Sequence, residues 1–199
     1  MSLKKDSTFS SNVNLKICSL LPLNVLKIVS SEINPRSVLD VGCGTGASLN
    51  FFLENGVDAK GLENSDYAIE NSPVKAHIYK HNLNRPYLSD KQYDLVWSFE
   101  VIEHIHPKYE DIFLNTLVNH SDQILISAAR PGQGGHGHFN EQEPEYWINR
   151  FKDLGYDYDN DFSKKLQSTG DAYVENVLFF KKNCSKKIFI TNSHNLKKG

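Results

Sequence analysis

The sequence has little of what marks secreted, membrane or disulfide-stabilised proteins. Its 3 cysteines among 199 residues are an odd number, and they lack the spacing of a metal or disulfide framework. We therefore expect free thiols in a reducing compartment, which favours a cytoplasmic location. No run approaches the roughly 20 apolar residues that span a bilayer. The first twelve residues, MSLKKDSTFSSN, have no apolar stretch of the kind found in secretory signals, so we expect no membrane association.

A strong charge of one sign is also absent. The formal net charge is −2, with 39% apolar and 23% charged residues, which is an ordinary globular composition. Because no basic field covers the chain, the composition argues against a nucleic-acid partner and favours a small-molecule substrate. The sequence leaves the oligomeric state open.

Strand and helix patterns alternate along the chain. Buried-strand patterns are followed by amphipathic segments, and residues 15–33 form an N-terminal helical segment that Pro22 divides. We see no clear helix between the last two strands, near 156–168 and at 174–182, so we expect an antiparallel hairpin at one sheet edge. The pattern predicts one α/β domain over residues 1–199, with flexible ends at 1–12 and 183–199. Its fold is a doubly wound, Rossmann-like, seven-stranded and mostly parallel sheet. The other predicted strands are 37–42, 58–63, 76–82, 93–99 and 123–129, and the other helices are 46–56, 65–72, 109–120 and 143–155.

A glycine-rich loop, VLDVGCGTG (38–46), follows the first predicted strand. In open α/β sheets, ligands bind beyond the carboxyl ends of the strands, and glycines let the backbone approach them closely. Two ligands fit at this point. Gly42, Gly44 and Ala47 satisfy the dinucleotide pattern G-x-G-x-x-G/A, with Glu63 about 20 residues on as the ribose-binding acid. The alternative is S-adenosylmethionine (SAM).

Further segments in the same order resemble the class I SAM-dependent methyltransferases. GLENS (61–65) is similar to their second motif, and HNLNRP (81–86) lies where that family contacts adenine. YDLVWSFEVIEHI (93–105) resembles their fourth motif, and QILISAARPG (123–132) their fifth strand and its exit. The resemblance covers about residues 36–182. A dehydrogenase has no need of the fourth motif, so the resemblance favours SAM.

The resemblance also implies which residues bind SAM. Residues of the first loop would hold the methionine end, and Glu63 would accept hydrogen bonds from the ribose hydroxyls. Asn82, where the family usually has Asp, would reach the adenine amino group, and Leu83 would pack on the ring. Ser98, Phe99 and Glu100, at the end of the fourth strand and directly after it, would line the floor near the methyl group. The implied SAM-binding set is Asp40, Gly42, Cys43, Gly44, Glu63, Asn82, Leu83, Phe99 and Glu100.

The fourth motif contains a possible metal site. If EVIEHIH (100–106) is helical, Glu100, Glu103 and His104 share one face, and they could hold Mg²⁺ or Mn²⁺. This E-x-x-E-H pattern resembles the metal-binding element of ubiquinone-pathway O-methyltransferases and of small-RNA 2′-O-methyltransferases. Alternatively, Glu103 is an acid at a helix start and His104 is a packed or catalytic residue.

A second candidate segment is the loop RPGQGGHGHFNEQEPEYW (130–147). Four glycines within six residues predict a mobile lid beyond the fifth strand. Its His136 and His138 could act as a general base, as substrate contacts or as a further metal ligand, so the catalytic candidates are His104, His136 and His138. The alternative is a surface loop that His138, Asn140 and Trp147 fix to the fold.

These observations predict a SAM-dependent methyltransferase that methylates a hydroxyl of a small metabolite or sugar-like acceptor. The sequence lacks the NPPY-type motif expected of many amino-methylating nucleic-acid enzymes. Two alternatives remain open: a NAD-type oxidoreductase that uses the same glycine-rich loop, and a catalytically idle SAM-binding or interaction module.

Overall fold

A computed structural model describes residues 21–183 as a seven-stranded sheet with helices on both faces. The strand order is β3-β2-β1-β4-β5-β7-β6, and only β7 runs antiparallel to its neighbours. The predicted doubly wound, mostly parallel sheet is therefore confirmed. The strands are β1 (Ser37–Val41), β2 (Asp58–Glu63), β3 (Ile78–Lys80), β4 (Leu95–Phe99), β5 (Gln123–Ser127), β6 (Tyr156–Tyr158) and β7 (Val177–Lys182). The helices are α1 (Leu23–Glu32), α2 (Ala47–Glu54), α3 (Asp66–Glu70), α4 (Glu110–Val118), α5 (Pro144–Asp153) and α6 (Asn160–Gln167).

Two apolar clusters cover the two faces of the sheet. Along β4, Leu95 and Trp97 belong to one cluster and Val96 to the other, as the period of two in a strand requires. The first cluster includes residues of α1, α2 and α6, and the second includes residues of α4 and α5. Because both faces are covered by helices, the strands are buried runs of aliphatic residues.

The edge of the sheet contains one error in the sequence prediction. The antiparallel pairing of β6 with β7 is confirmed, but residues 160–167, which we placed in a strand, form helix α6. Asp159 accepts a hydrogen bond from the Phe162 N–H at 3.0 Å and so caps this helix. Phe162 and Leu166, four residues apart, pack against the same cluster.

The ends of the chain are only partly covered. Helix α1 begins directly after Pro22, as predicted for the second half of the N-terminal helical segment. Asn183 donates its N–H to the Gly155 carbonyl at 2.8 Å. The expectations for residues 1–12, for the first half of the helical segment and for the tail beyond Asn183 lie outside the described residues. The single domain over residues 1–199 thus stays a prediction. Of the helices described, none has the length and hydropathy needed to cross a bilayer.

Candidate active site and metal centre

The loops after β1 and β2 meet at the carboxyl edge of the sheet, and Glu63 joins them. Its Oε2 accepts a hydrogen bond from the Gly44 N–H at 2.9 Å, and its Oε1 accepts from the N–H groups of Asn64 and Ser65, each at 2.7 Å. A carboxylate has about four lone-pair positions. Two of these positions on Oε1 and one on Oε2 are taken, so Oε2 keeps capacity for one further donor, such as a ribose hydroxyl.

Gly42 lies where the backbone passes closest to the segment after β4. Its φ is +82°, and a Cβ built there would lie 2.6 Å from both methyl groups of Val101. Only glycine fits this position. The next residue, Cys43, turns its sulfur toward Gly61, and burial raises the pKa of the thiol, so Cys43 remains protonated. Its backbone is therefore the part that can serve a ligand.

Asp40 is the second carboxyl group beside this loop. It is 2% exposed, and burial, followed by the charge of Glu63, raises its pKa well above the ordinary value. Two acids packed together in this way favour a cationic ligand, because a positive charge would offset both the burial and their mutual repulsion.

The structure gives less specific evidence for the residues that we expect to contact adenine. Asn82 is exposed, and its Oδ1 accepts a hydrogen bond from the Asn84 N–H at 2.9 Å, which is a local turn. Leu83 is partly buried against the core. Phe99 stacks on Trp97 with ring centroids 5.7 Å apart, at the end of β4.

Glu100, directly after β4, is held by side chains from outside its motif. Its φ is +54°, which is uncommon for a residue with a side chain. The Ser127 hydroxyl donates to Oε1, Asn176 Nδ2 donates to Oε1 at 3.1 Å, and Gln133 Nε2 donates to Oε2 at 3.2 Å. The following residues form a 3₁₀ turn, Ile102–His104, rather than the helix on which we based a shared face.

Glu103, His104 and His138 come together as one group, whose ligand atoms lie within 4.8 Å of one another. Glu103 is 0% exposed. Its two carboxyl oxygens have no hydrogen bond of ordinary geometry among residues 21–183. Burial, followed by the charge of Glu100, raises its pKa well above the ordinary value, although the backbone N–H groups of Glu103 and Ala129 act on the carboxyl group and offset part of this rise. The structure thus joins His138, from the predicted lid, with two of the three predicted metal ligands, and Glu100 lies beside the group.

Both histidines have a partner for one ring nitrogen. His104 Nδ1 lies 3.1 Å from the Gly137 carbonyl, and His138 Nδ1 lies 2.8 Å from Glu141 Oε1. In each case an Nδ1–H donor satisfies the acceptor and fixes the orientation of the ring. Burial, followed by the nearby His138, lowers the pKa of His104, so its imidazole is neutral near pH 7. The third histidine of the prediction, His136, is exposed on the loop.

Glu141 also shapes the glycine-rich loop. Its two oxygens accept hydrogen bonds from Gly132 N at 2.9 Å and from Gly134 N at 2.8 Å. A Cβ at Gly135 would lie 2.3 Å from His138 Nε2, so the loop packs directly over this ring. We did not single out Glu141 from the sequence. The one signal was its position three residues after His138.

A second polar network fixes the end of this loop to the helices. Glu110, in the first turn of α4, accepts hydrogen bonds from Asn140, Tyr146 and Arg150 at 2.7 to 3.0 Å. The N–H groups of Phe139 and Asn140 donate to the Glu103 carbonyl at 2.8 and 3.0 Å. These contacts hold His138 against the turn that carries His104. No sequence pattern marked Glu110, because its partners are 30 to 40 residues away.

Comparisons with known proteins identify the family and the fold. A family model described as "Methyltransferase domain" matches residues 11–119, and no curated protein sequence matches the chain. Solved structures share the fold at low sequence identity. A sugar N-methyltransferase from a Streptoalloteichus species has a TM-score of 0.68 at 14% identity, and the match covers 92% of this chain and 97% of that one.

Two further structures extend the comparison. The 1,6-didemethyltoxoflavin-N1-methyltransferase of Burkholderia thailandensis, with bound S-adenosylhomocysteine, has a TM-score of 0.65 at 14% identity; the match covers 86% of this chain and 82% of that one. Magnesium protoporphyrin IX methyltransferase from Synechocystis, also with S-adenosylhomocysteine, has a TM-score of 0.63 at 15% identity, over 88% and 90% of the two chains.

Proposed function

The chain belongs to the methyltransferase-domain family, and on that premise we propose that it moves a methyl group from SAM to a hydroxyl of a small metabolite or sugar-like acceptor. Because the chain is a class I SAM-dependent methyltransferase, SAM binding explains its glycine-rich loop, and a dinucleotide ligand is not needed. The observation that carries the choice of a hydroxyl acceptor is the group of Glu103, His104 and His138. Hydroxyl groups, unlike amines, must lose a proton that water at neutral pH removes poorly.

The cofactor side of this proposal rests on charge and close backbone approach. SAM carries a sulfonium and an ammonium group, and the buried Asp40 beside Glu63 suits such a cation. Gly42 and Gly44, with the backbone of Cys43, would contact the methionine end, and Glu63 the ribose. Asn82 and Leu83 would contact adenine, with the Asn82 amide oxygen shared with its local turn. Phe99 and Glu100 would line the floor near the methyl group.

The donor set of Glu103, His104 and His138 fits a divalent metal. The two Glu103 oxygens lack well-aligned donors among the described residues, and a cation would satisfy both. The partners Gly137 and Glu141 orient the two imidazoles, as carbonyl and carboxylate groups do beside metal-ligating histidines. Two nitrogens and a carboxylate suit Mn²⁺ better than Mg²⁺, which prefers oxygen ligands. A bound metal would supply a lower pKa for an acceptor hydroxyl.

The side chains of this protein then do two things in the reaction. They hold the acceptor oxygen in line with the methyl carbon and the sulfur, and alignment supplies much of the rate in such a displacement. They also take up the hydroxyl proton as the oxygen–carbon bond forms and the carbon–sulfur bond breaks. His104 is neutral near pH 7 because its pKa is lowered by burial, so its imidazole can act as base or ligand. His138 is oriented through its Nδ1 in the same way, and His136 can reach the site only with the loop.

Calorimetric titration with S-adenosylhomocysteine tests the cofactor site. We expect the wild type to bind, and Glu63→Ala to lose about 100-fold in affinity, because it removes the ribose acceptor and the contact that holds Gly44. Glu54→Ala, an exposed acid in α2, is a matched control and should bind as the wild type does. A wild type that fails to bind would contradict the proposal.

A further inference from the structure

The carboxamide of Gln133 bridges Glu100 and Asn176, and we call the place that it takes between these two side chains the recess. Its Nε2 donates to Glu100 Oε2 at 3.2 Å, and its Oε1 accepts from Asn176 Nδ2 at 2.8 Å. Gln133 is exposed and lies between Gly132 and Gly134, which have φ values of +89° and +67°. The side chain in the recess therefore comes from a glycine-rich loop segment, and both of its polar ends are matched.

The walls of the recess are fixed. Asn176 is 2% exposed, and its Nδ2 also donates to Glu100 Oε1 at 3.1 Å. Ser127, at the end of β5, accepts from the Glu100 N–H at 3.0 Å and donates to the Glu100 carboxylate. Glu100 itself keeps a strained φ of +54°. Strained backbone that its surroundings hold in place is a common feature of binding sites.

The recess also has unused hydrogen-bonding capacity. Asn176 Oδ1 is buried and has no hydrogen-bond partner among the described residues. The two neighbouring side chains, Glu100 and Gln133, both accept from Asn176 Nδ2. Buried polar groups are usually satisfied, so the Asn176 carboxamide keeps an unused acceptor while its Nδ2 serves both Glu100 and Gln133.

We infer that this recess is the acceptor-binding subsite, that it recognises a pair of adjacent hydroxyl groups, and that the Gln133 carboxamide occupies it until substrate displaces it. One hydroxyl donates to Glu100, as Gln133 Nε2 does, and the oxygen of its neighbour accepts from Asn176, as Gln133 Oε1 does. An anionic group is disfavoured because Glu100 repels it. This inference rests on the proposed function and names its substrate class: a neutral acceptor with a vicinal diol.

The position of the recess suits that role. Glu100 forms one wall, and the turn Ile102–His104 that carries Glu103 and His104 begins two residues after it, so the recess adjoins the group of Glu103, His104 and His138. A diol held between Glu100 and Asn176 thus brings a hydroxyl next to the residues proposed to remove its proton. Gln133 reaches the recess from the same loop that carries His138, which links acceptor entry to the placement of that histidine.

The test follows the Asn176 side-chain amide in ¹⁵N–¹H NMR spectra while cis-1,2-cyclohexanediol is added to the full chain saturated with S-adenosylhomocysteine. Gln133→Ala removes the tethered competitor, so its apparent Kd for the diol should fall about tenfold relative to wild type. Gln92→Ala removes an exposed carboxamide that donates to the Asn119 carbonyl elsewhere and should behave as the wild type. Cyclohexanol, with one hydroxyl, should bind all three proteins more weakly than the diol.

Asn176→Asp replaces the amide donor with a second carboxylate and should lose the diol-dependent shifts of neighbouring backbone signals while it still binds S-adenosylhomocysteine. Equal shifts with cyclohexanol, or no gain of diol affinity in Gln133→Ala, would overturn the inference and leave the proposed function intact. If neither the wild type nor any variant binds S-adenosylhomocysteine, that result would instead contradict the proposed function.

Discussion

At the scale of single residues, the site contains a buried carboxyl group, that of Glu103, which lowers the stability of the folded protein. Glu103 is fully buried, and its oxygens meet no well-aligned donor in the described part of the chain. Leaving a buried polar group unsatisfied costs about 1–3 kcal/mol, and more when the group is charged. A neutral side chain of similar shape would avoid this cost.

Replacing Glu103 with Gln should therefore stabilise the metal-free protein. The pKa of Glu103 is raised in the folded state, so the folded protein binds this proton more tightly than the unfolded chain does. Stability is then lost as pH rises above the ordinary carboxyl pKa. Thermal unfolding should show nearly equal Tm values at about pH 4 and a Tm for Glu103→Gln about 2–6 °C higher at about pH 8. Glu145→Gln, in the first turn of α5 and exposed, is the control. A gap that is the same at both pH values would show that Glu103 carries no buried charge.

At the scale of elements, helix α1 depends on a residue from the other end of the chain. Asp171 Oδ2 accepts hydrogen bonds from the N–H groups of Asn24 and Val25 at 2.8 and 3.0 Å. No side chain near Pro22 caps this helix, so Asp171 does what a local cap residue does elsewhere.

Asp171→Ala should thus destabilise the protein by about 1 kcal/mol, as the loss of a helix cap does. For a chain of this size, that corresponds to about 2–4 °C in Tm. Asp171→Asn keeps an oxygen acceptor and should lose less than half as much. Urea unfolding followed by circular dichroism measures both variants. Equal losses for the two substitutions would show that charge, rather than the capping hydrogen bonds, is what matters.

The elements also show where sequence reasoning succeeds and fails. The hydrophobic periods predicted every parallel strand and the helices α2, α3, α4 and α5, because local patterns determine these elements. Helix α6 was missed because the apolar pattern of this helix is short. Only Phe162 and Leu166 mark it, and they lie within the polar segment 156–168 that we assigned to a strand. Its start depends on the Asp159 cap, which is visible in sequence only after a helix has been assumed.

At the scale of the whole molecule, the site combines residues that no local pattern connects. Glu103 and His104 were found from the E-x-x-E-H spacing, but His138 joins them through a loop 34 residues later in the chain. The placement of Glu100 against Ser127 and Asn176 depends on the order β4-β5-β7 in the sheet. Such contacts follow from topology, so sequence alone could name the candidates but not their partners. The SAM-binding residues, a small-molecule acceptor and a cytoplasmic location stay predictions.

The most direct test of the central claim, that Glu103, His104 and His138 form a metal-assisted centre for O-methylation, is a titration of the full chain with Mn²⁺ monitored by electron paramagnetic resonance. Wild type should bind one Mn²⁺, and Glu103→Gln and His138→Ala should each weaken binding at least about tenfold, since each removes one of three ligands. Glu145→Gln should bind as wild type. Wild-type binding that neither substitution changes, or no binding at all, would contradict the account.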